Sequence, residues 1–179
     1  MRIISGYLGG RSFQPKMNKW PTRPTTDMAK EALFNVLANR MDFGSAKCLD
    51  LFGGTGSISF ELASRGCEDI TYVDKFKPCI AFVRNQIAAF DIEDFVTIIQ
   101  KDVVRFMDQS ADKYDFIFAD PPYDWKGMQS FPDLVFSAQI LNPDALFVLE
   151  HGGSIDFGSH THFIMQRTYG QMKFSFFGH

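Results

Sequence analysis

The run Asp120-Pro121-Pro122-Tyr123 concentrates hydrogen-bond acceptors. Two successive prolines fix φ and remove two N–H donors, so the backbone there can only accept. Asp120 accepts as well. An exocyclic amine on a nucleobase is a poor nucleophile, because its lone pair is delocalised into the ring. Two acceptors aimed at its hydrogens help to pyramidalise the nitrogen and free that lone pair for attack. Tyr123 adds a face on which an extruded base can stack, worth about 1–3 kcal/mol. In isolation the same four residues also make an ordinary proline turn. Their place directly after an apolar stretch, 116–119, favours the chemical reading, since ligands of open α/β sheets bind beyond the carboxyl ends of strands.

A second run, Asp50-Leu51-Phe52-Gly53-Gly54-Thr55-Gly56, closes an apolar strand and opens a helix. Glycines at such a turn let a ligand approach the backbone, and the helix N-terminus offers free N–H groups to an anion. A dinucleotide fingerprint is incomplete here, because Ser59 stands where its third glycine belongs. A ligand whose anion is a carboxylate suits the looser loop, and S-adenosylmethionine is such a ligand. Asp74, 18 residues beyond Gly56, can accept from both ribose hydroxyls. Asp102 serves equally as an adenine contact or as a helix N-cap. The sulfonium of that cofactor supplies the leaving group, so covalent catalysis is unnecessary. What remains for the protein is orientation, worth up to about 7–11 kcal/mol for aligned reactants.

These motifs need a scaffold, and the rest of the chain predicts one. Apolar, non-alternating strands are expected at 47–51, 70–74, 95–100, 116–119 and 145–149. Helices are expected at 56–65, 77–90, 103–109 and 132–139. A further helix starts after Thr25 or Thr26 and runs to about 41. Strand–helix alternation with apolar strands means a parallel sheet covered on both faces. A closing hairpin is expected from 162–169 and 171–177, turning at Gly170. The predicted fold is α/β: a Rossmann-like class I methyltransferase with a mostly parallel seven-stranded sheet, a C-terminal antiparallel hairpin and helices on both faces. It forms a single domain over residues 1–179. Residues 1–24 precede the core as a hairpin or arm, broken by Pro15, Pro21 and Pro24.

The composition, 45% hydrophobic and 22% charged, belongs to a globular chain and excludes a disordered one. Residues 1–30 carry six basic side chains against Asp27 alone, a net of +5, which leaves −8 on an acidic body. A basic segment of that kind predicts contact with a polyanion, and a solvated terminus explains the charge equally well. Cys48, Cys67 and Cys79 form no CxxC pair, which argues against disulfides and structural zinc and predicts a reducing, cytoplasmic setting. His160 and His162 lack a partner at metal-ligand spacing, so no metal is expected. The chain shows neither an 18-residue apolar run nor a signal-peptide start, which predicts no membrane association.

Four stretches together resemble the RsmD-type guanine-N2 methyltransferases of bacterial small-subunit ribosomal RNA. They are Arg23-Pro24-Thr25-Thr26-Asp27, Glu31-Ala32-Leu33-Phe34-Asn35-Val36-Leu37, the glycine run and the Asp120 run; the start Arg2-Ile3-Ile4-Ser5-Gly6 also fits. The resemblance covers nearly the whole chain. It implies that S-adenosylmethionine sits on Asp50, Phe52, Gly53, Gly54, Thr55 and Gly56. Asp74 and Lys75, Asp102 and Val103, and Arg23 and Thr25 complete the cofactor contacts. It implies that Asp120 and the Pro121 carbonyl grip the guanine amine with Tyr123 on the base. Arg2, Arg11, Lys16, Arg23 and Trp125 would meet RNA, although Trp125 serves packing equally well. The partner implied is 16S RNA in an assembled or partly assembled small subunit, met by a monomeric enzyme. The chain departs from the family at Gly9, Met28 and Lys30, where basic residues or Arg are usual, and these departures bear on RNA affinity. Two alternatives share the Asp120 motif: a DNA adenine- or cytosine-amine methyltransferase, and a non-catalytic RNA-binding assembly factor.

Overall fold

The computed structural model describes residues 1–15 and 25–178. Seven strands form one sheet: β1 (Lys47–Leu51), β2 (Asp69–Asp74), β3 (Val96–Gln100), β4 (Tyr114–Ala119), β5 (Leu141–Gly152), β6 (Phe163–Tyr169) and β7 (Met172–Phe177). Their order is β3-β2-β1-β4-β5-β7-β6, with β7 antiparallel to both neighbours and the β3-to-β5 block parallel. The order reverses between β1 and β4, where a crevice opens at the carboxyl ends of the strands. Both motif loops leave the sheet there.

Strand register sorts the side chains. Asp50 pairs with Tyr72 and with Phe118, Phe118 with Val148, and Val148 with Phe176, so these residues share one face. That face packs against α1 (Asp27–Leu37), α2 (Ser57–Ser64) and α3 (Lys77–Phe90). The opposite face, with Leu49, Ile117 and Phe147, packs against α4 (Val103–Gln109) and α5 (Phe131–Ser137). Burial on both faces explains why the strands read as continuous apolar runs.

Local signals account for most boundaries. Thr26 caps α1, its side chain accepting from the Ala29 amide at 3.3 Å. Gly66 (φ +100°) follows α2, and Gly170 (φ +64°) turns the closing hairpin. The expected extension of α1 to 41 does not form: the amides of Asn39 and Arg40 turn back to carbonyls three residues earlier. β5 is longer than the expected 145–149 because β7 continues the ladder through Glu150, His151 and Gly152.

Residues 1–15 double back on themselves: Arg2 and Ser12 form an antiparallel bridge, and the amides of Ile3, Gly10 and Phe13 donate to the carbonyls of Arg11, Ile3 and Met1 at 2.9, 2.9 and 3.1 Å. They also pack onto α2. The amides of Ile4 and Ser5 donate to the Glu61 carboxylate (2.7 and 3.1 Å), and that of Tyr7 to the Ser64 carbonyl (3.0 Å). Gly6 (φ +81°) lies so close that a Cβ would fall 1.7 Å from the Ser64 oxygen. Lys30 corrects the charge reading of this end. It is fully buried, with its ammonium 2.6 Å from the Arg2 carbonyl, 3.1 Å from Ser57 Oγ and 3.5 Å from Glu61. Its charge is neutralised inside the protein and is not presented to a partner.

Candidate active site

The glycine loop is built around aromatic and acidic anchors. Gly53 faces the Tyr72 ring so closely that a Cβ would lie 2.3 Å from it. Tyr72 donates its hydroxyl to the Gly54 carbonyl at 2.7 Å. Gly56 (φ +73°) starts α2 in the left-handed region, and a Cβ there would press on Phe60 at 2.9 Å. Phe52 holds a positive φ of 57°, a strained backbone for a non-glycine residue next to a functional loop.

Two acids brace this loop. Asp74 accepts from the Gly54 amide (2.9 Å) and from the Phe76 amide (2.8 Å), one bond to each carboxylate oxygen. Each oxygen keeps a second lone pair. Asp50 is buried and accepts from both the amide (3.2 Å) and the hydroxyl (2.6 Å) of Ser59, which ties β1 to α2. Burial pushes its carboxyl up to about 7; the Ser59 bonds oppose that shift and the Asp74 charge adds to it. Thr25, Asp50, Phe52, Gly54, Ser57 and Asp120 line a narrow cleft between the two motif loops.

The expected periphery divides. Asp102 caps α4, accepting from the amides of Val104 (3.1 Å) and Arg105 (3.4 Å), so it does fill the capping role. Lys75 is exposed and approaches Asp102 at 3.9 Å. The Val103 side chain is buried in the core of the α4–α5 face, which leaves only its main chain for a ligand. Trp125 packs edge-on against Phe52 (5.4 Å) and Phe131 (5.3 Å), the packing alternative for this residue. His160 meets Asp133 at 3.2 Å, and His162 stacks on Phe136 at 3.9 Å.

The residues present fit S-adenosylmethionine. A Cβ at Gly53 would clash with the Tyr72 ring and one at Gly56 would press on Phe60, so glycine keeps the loop backbone bare. The first-turn residues of α2, whose amides have no partner ahead of them in the helix, line the cleft and suit a carboxylate. Asp50 and Asp74 beside that loop are acids, a chemistry that suits a ligand with an ammonium, a sulfonium and ribose hydroxyls.

On the other side of the cleft, Asp120 follows β4 directly and its amide donates to the Leu51 carbonyl at 3.3 Å. Pro121 is buried, whereas Pro122 and Tyr123 are exposed. The Pro122 carbonyl accepts from the Trp125 amide at 2.8 Å; among the described residues nothing donates to the Pro121 carbonyl. Burial raises the Asp120 carboxyl well above the usual carboxylate range, and the neighbouring charges of Glu150 and Asp50 raise it further.

Glu150 is the residue that sequence reasoning missed. The Ala119–Leu149 register sets Asp120 and Glu150 side by side on the face that also carries Asp50. Glu150 is 1% exposed. One carboxylate oxygen accepts from Thr25 Oγ1 at 2.6 Å and the other from the Tyr123 hydroxyl at 3.5 Å. Burial lifts its carboxyl to about 7 against those two bonds. An acid ending an apolar strand, the feature that singled out Asp120, was the available signal.

Of the expected RNA contacts, Arg2 is exposed and pairs with Asp27 at 3.2 Å. Arg11 is exposed, its guanidinium 5.8 Å from the centre of the Phe90 ring. Lys16 and Arg23 lie outside the described residues.

Residues 1–178 match the family model described as Conserved hypothetical protein 95. A relative from Bacillus subtilis, named "Putative rRNA methyltransferase YlbH", is 32% identical over 159 residues, covering 87% of this chain and 85% of its own. Ribosomal RNA small subunit methyltransferase D of Haemophilus influenzae is 29% identical over 153 residues, covering 84% and 78%. A solved 16S rRNA N2 methyltransferase of Thermus thermophilus, in complex with AdoMet and guanosine, superposes with a TM-score of 0.68. That match has 19% identity over 86% of this chain and 43% of that one, and is a likeness of fold. With the model spanning all but its last residue, this chain belongs to the conserved hypothetical protein 95 family, that of the RsmD-type methyltransferases.

Proposed function

We propose that the chain transfers a methyl group from S-adenosylmethionine to the exocyclic N2 amine of a guanine in 16S ribosomal RNA of the small subunit. One observation carries the reading: Asp120 and a Pro121 carbonyl that accepts no hydrogen bond among the described residues sit together at the end of β4, with Asp120 across the cleft from the bare glycine loop.

Asp50–Gly56 would hold the cofactor, with Asp74 accepting from its ribose, Lys75, Asp102 and the Val103 main chain serving its adenine and Thr25 its methionine end; Arg23, expected to act beside Thr25, lies outside the described residues. When bound, the cofactor supplies an electrophilic methyl on a sulfonium centre. Asp120 and the Pro121 carbonyl accept the two hydrogens of the guanine amine and draw its lone pair out of the ring. The forming cation loses one proton, and Asp120 receives it; an acid lifted above the usual range by burial and by its acidic neighbours holds that proton well. Tyr123 stacks on the extruded base. The protein works in the cytoplasm as a monomer on an RNA partner. Among the described residues no helix is long and apolar enough to cross a membrane.

The test uses purified protein, methyl-labelled cofactor and small subunits from a strain lacking the gene. Label is expected on one N2-methylguanine with the wild-type protein and not with Asp120→Ala. Unlabelled subunits, or label that survives Asp120→Ala, overturn the reading.

A further inference from the structure

The acceptors at Asp120 and Pro121 can grip the amine of guanine, adenine or cytosine alike. Choosing guanine therefore needs another group, one that reads a ring nitrogen beside the amine. On guanine the amine has two such neighbours: N1, which carries a hydrogen, and N3, which is bare. On adenine (N1) and cytosine (N3) the nitrogen beside the amine is a bare acceptor.

Resting on the methyltransferase reading above, we propose that Glu150 is the guanine-selecting residue, its carboxylate accepting from N1–H while Asp120 holds the neighbouring amine. Three observations carry this. First, the β4–β5 register sets Asp120 and Glu150 in adjacent positions on one face, matching two adjacent donors on a base edge. Second, a cavity of about 350 Å³ lies between the Tyr123 loop and the closing hairpin, lined by Thr26, Tyr123, Glu150, Tyr169, Gln171 and Met172. Its size suits a small planar ligand. Glu150, buried as it is, supplies the only carboxylate among those lining residues. Third, its two oxygens are unequally engaged: Thr25 holds one at 2.6 Å, while Tyr123 reaches the other only at 3.5 Å, the limit of a hydrogen bond. A donor from the base fits that second oxygen.

The arrangement also rejects the wrong base. With Glu150 ionised, adenine offered with its amine at Asp120 brings a bare nitrogen lone pair against a buried carboxylate. Sites built to hydrogen-bond a polar group discriminate by roughly 10⁴ against analogues that cannot pair.

The test compares wild type and Glu150→Gln on two substrates: small subunits from the deletion strain, and the same subunits with the mapped target guanine mutated to adenine. The side-chain amide of that variant keeps an acceptor for Thr25 but can turn an N–H₂ toward the base. The expected result is a fall of about 100-fold or more on guanine, a gain on adenine, and an unchanged rise in melting temperature with cofactor. A purely structural role lowers both substrates together and leaves their ratio fixed; that outcome, or an unchanged guanine rate, overturns the proposal. If Glu150→Gln does not fold, Glu150→Asp decides. A carboxylate one methylene shorter must lose guanine activity without gaining adenine activity, and wild-type rates overturn the proposal. If wild-type protein labels no subunits at all, the methyltransferase reading has failed instead, which is a separate outcome.

Discussion

The two sides of the cleft use acids in opposite ways. At the glycine loop, Asp50 and Asp74 accept four bonds between them, all from Ser59, Gly54 and Phe76 of this chain. They hold a shape. Across the cleft, Asp120 and Glu150 stand side by side with fewer donors, and both carboxyls are pushed upward by burial. Clustered acids that lack donors are unfavourable in the protein alone. They become favourable when a substrate brings N–H groups and a cofactor brings positive charge. The first side is a preformed scaffold, and the second is completed by what binds to it.

The sharpest way to break this contrast is Asp120→Ala. Transfer should fall by about 10²–10³-fold or more, as when one preorganised stabilising group is removed. The cofactor-induced rise in melting temperature should persist, because the glycine loop does not depend on Asp120. A collapse of cofactor binding would show that the two sides are not separable.

Asp50 belongs structurally to the scaffold, yet its carboxyl shares the upward shift to about 7. A carboxyl raised in the folded state holds its proton better there than in the unfolded chain. Its contribution to stability is complete below its ordinary value of about 4 and is lost as pH rises toward about 7. Glu150 acts in the same direction over the same window. The cofactor-free protein should therefore lose up to a few kcal/mol between about pH 4.5 and about pH 7.5, read from urea midpoints. Asp50→Asn should flatten that slope. Cofactor affinity should rise over the same interval, since a sulfonium and an ammonium favour the ionised acids. A flat profile would remove the buried-acid account.

Gly53→Ala should act on the scaffold alone. Its Cβ would lie 2.3 Å from the Tyr72 ring, and overpacking of this kind costs about 1–3 kcal/mol. Calorimetry should show weaker cofactor binding together with a lower melting temperature. Wild-type cofactor affinity would mean that the loop shifts freely and is not preformed.

The same division decides what could be read in the linear chain. Scaffold features are local. A threonine cap at Thr25 or Thr26, the Gly53-Gly54-Thr55-Gly56 turn, Gly170 at the hairpin and the apolar strands all announce themselves within a few residues. Asp120 is legible because two prolines follow it. Glu150 acquires its role only from the register between β4 and β5 and from Thr25, 125 positions away in sequence. Lys30 misleads for the same reason: as text it joins a basic segment, and in the fold Glu61 and Ser57 enclose it. Asp102 and Trp125 have two local explanations each; in the fold Asp102 caps α4 and Trp125 joins an aromatic cluster, and neither contact closes off the ligand role.

The smallest expected effect concerns the surface beyond both sides. Lys30 is neutralised inside and Arg2 is paired with Asp27, so Arg11 is the more available cation of the described N-terminal residues. Arg11→Ala should weaken binding to small subunits several-fold and reduce the slope of log affinity against log salt by about one. Arg2→Ala should do less, because its charge is already partly compensated. Equal effects from the two would mean that the Arg2–Asp27 pair opens on RNA. No effect from either would place the phosphate contacts elsewhere on the chain, with Lys16 and Arg23 the next to change.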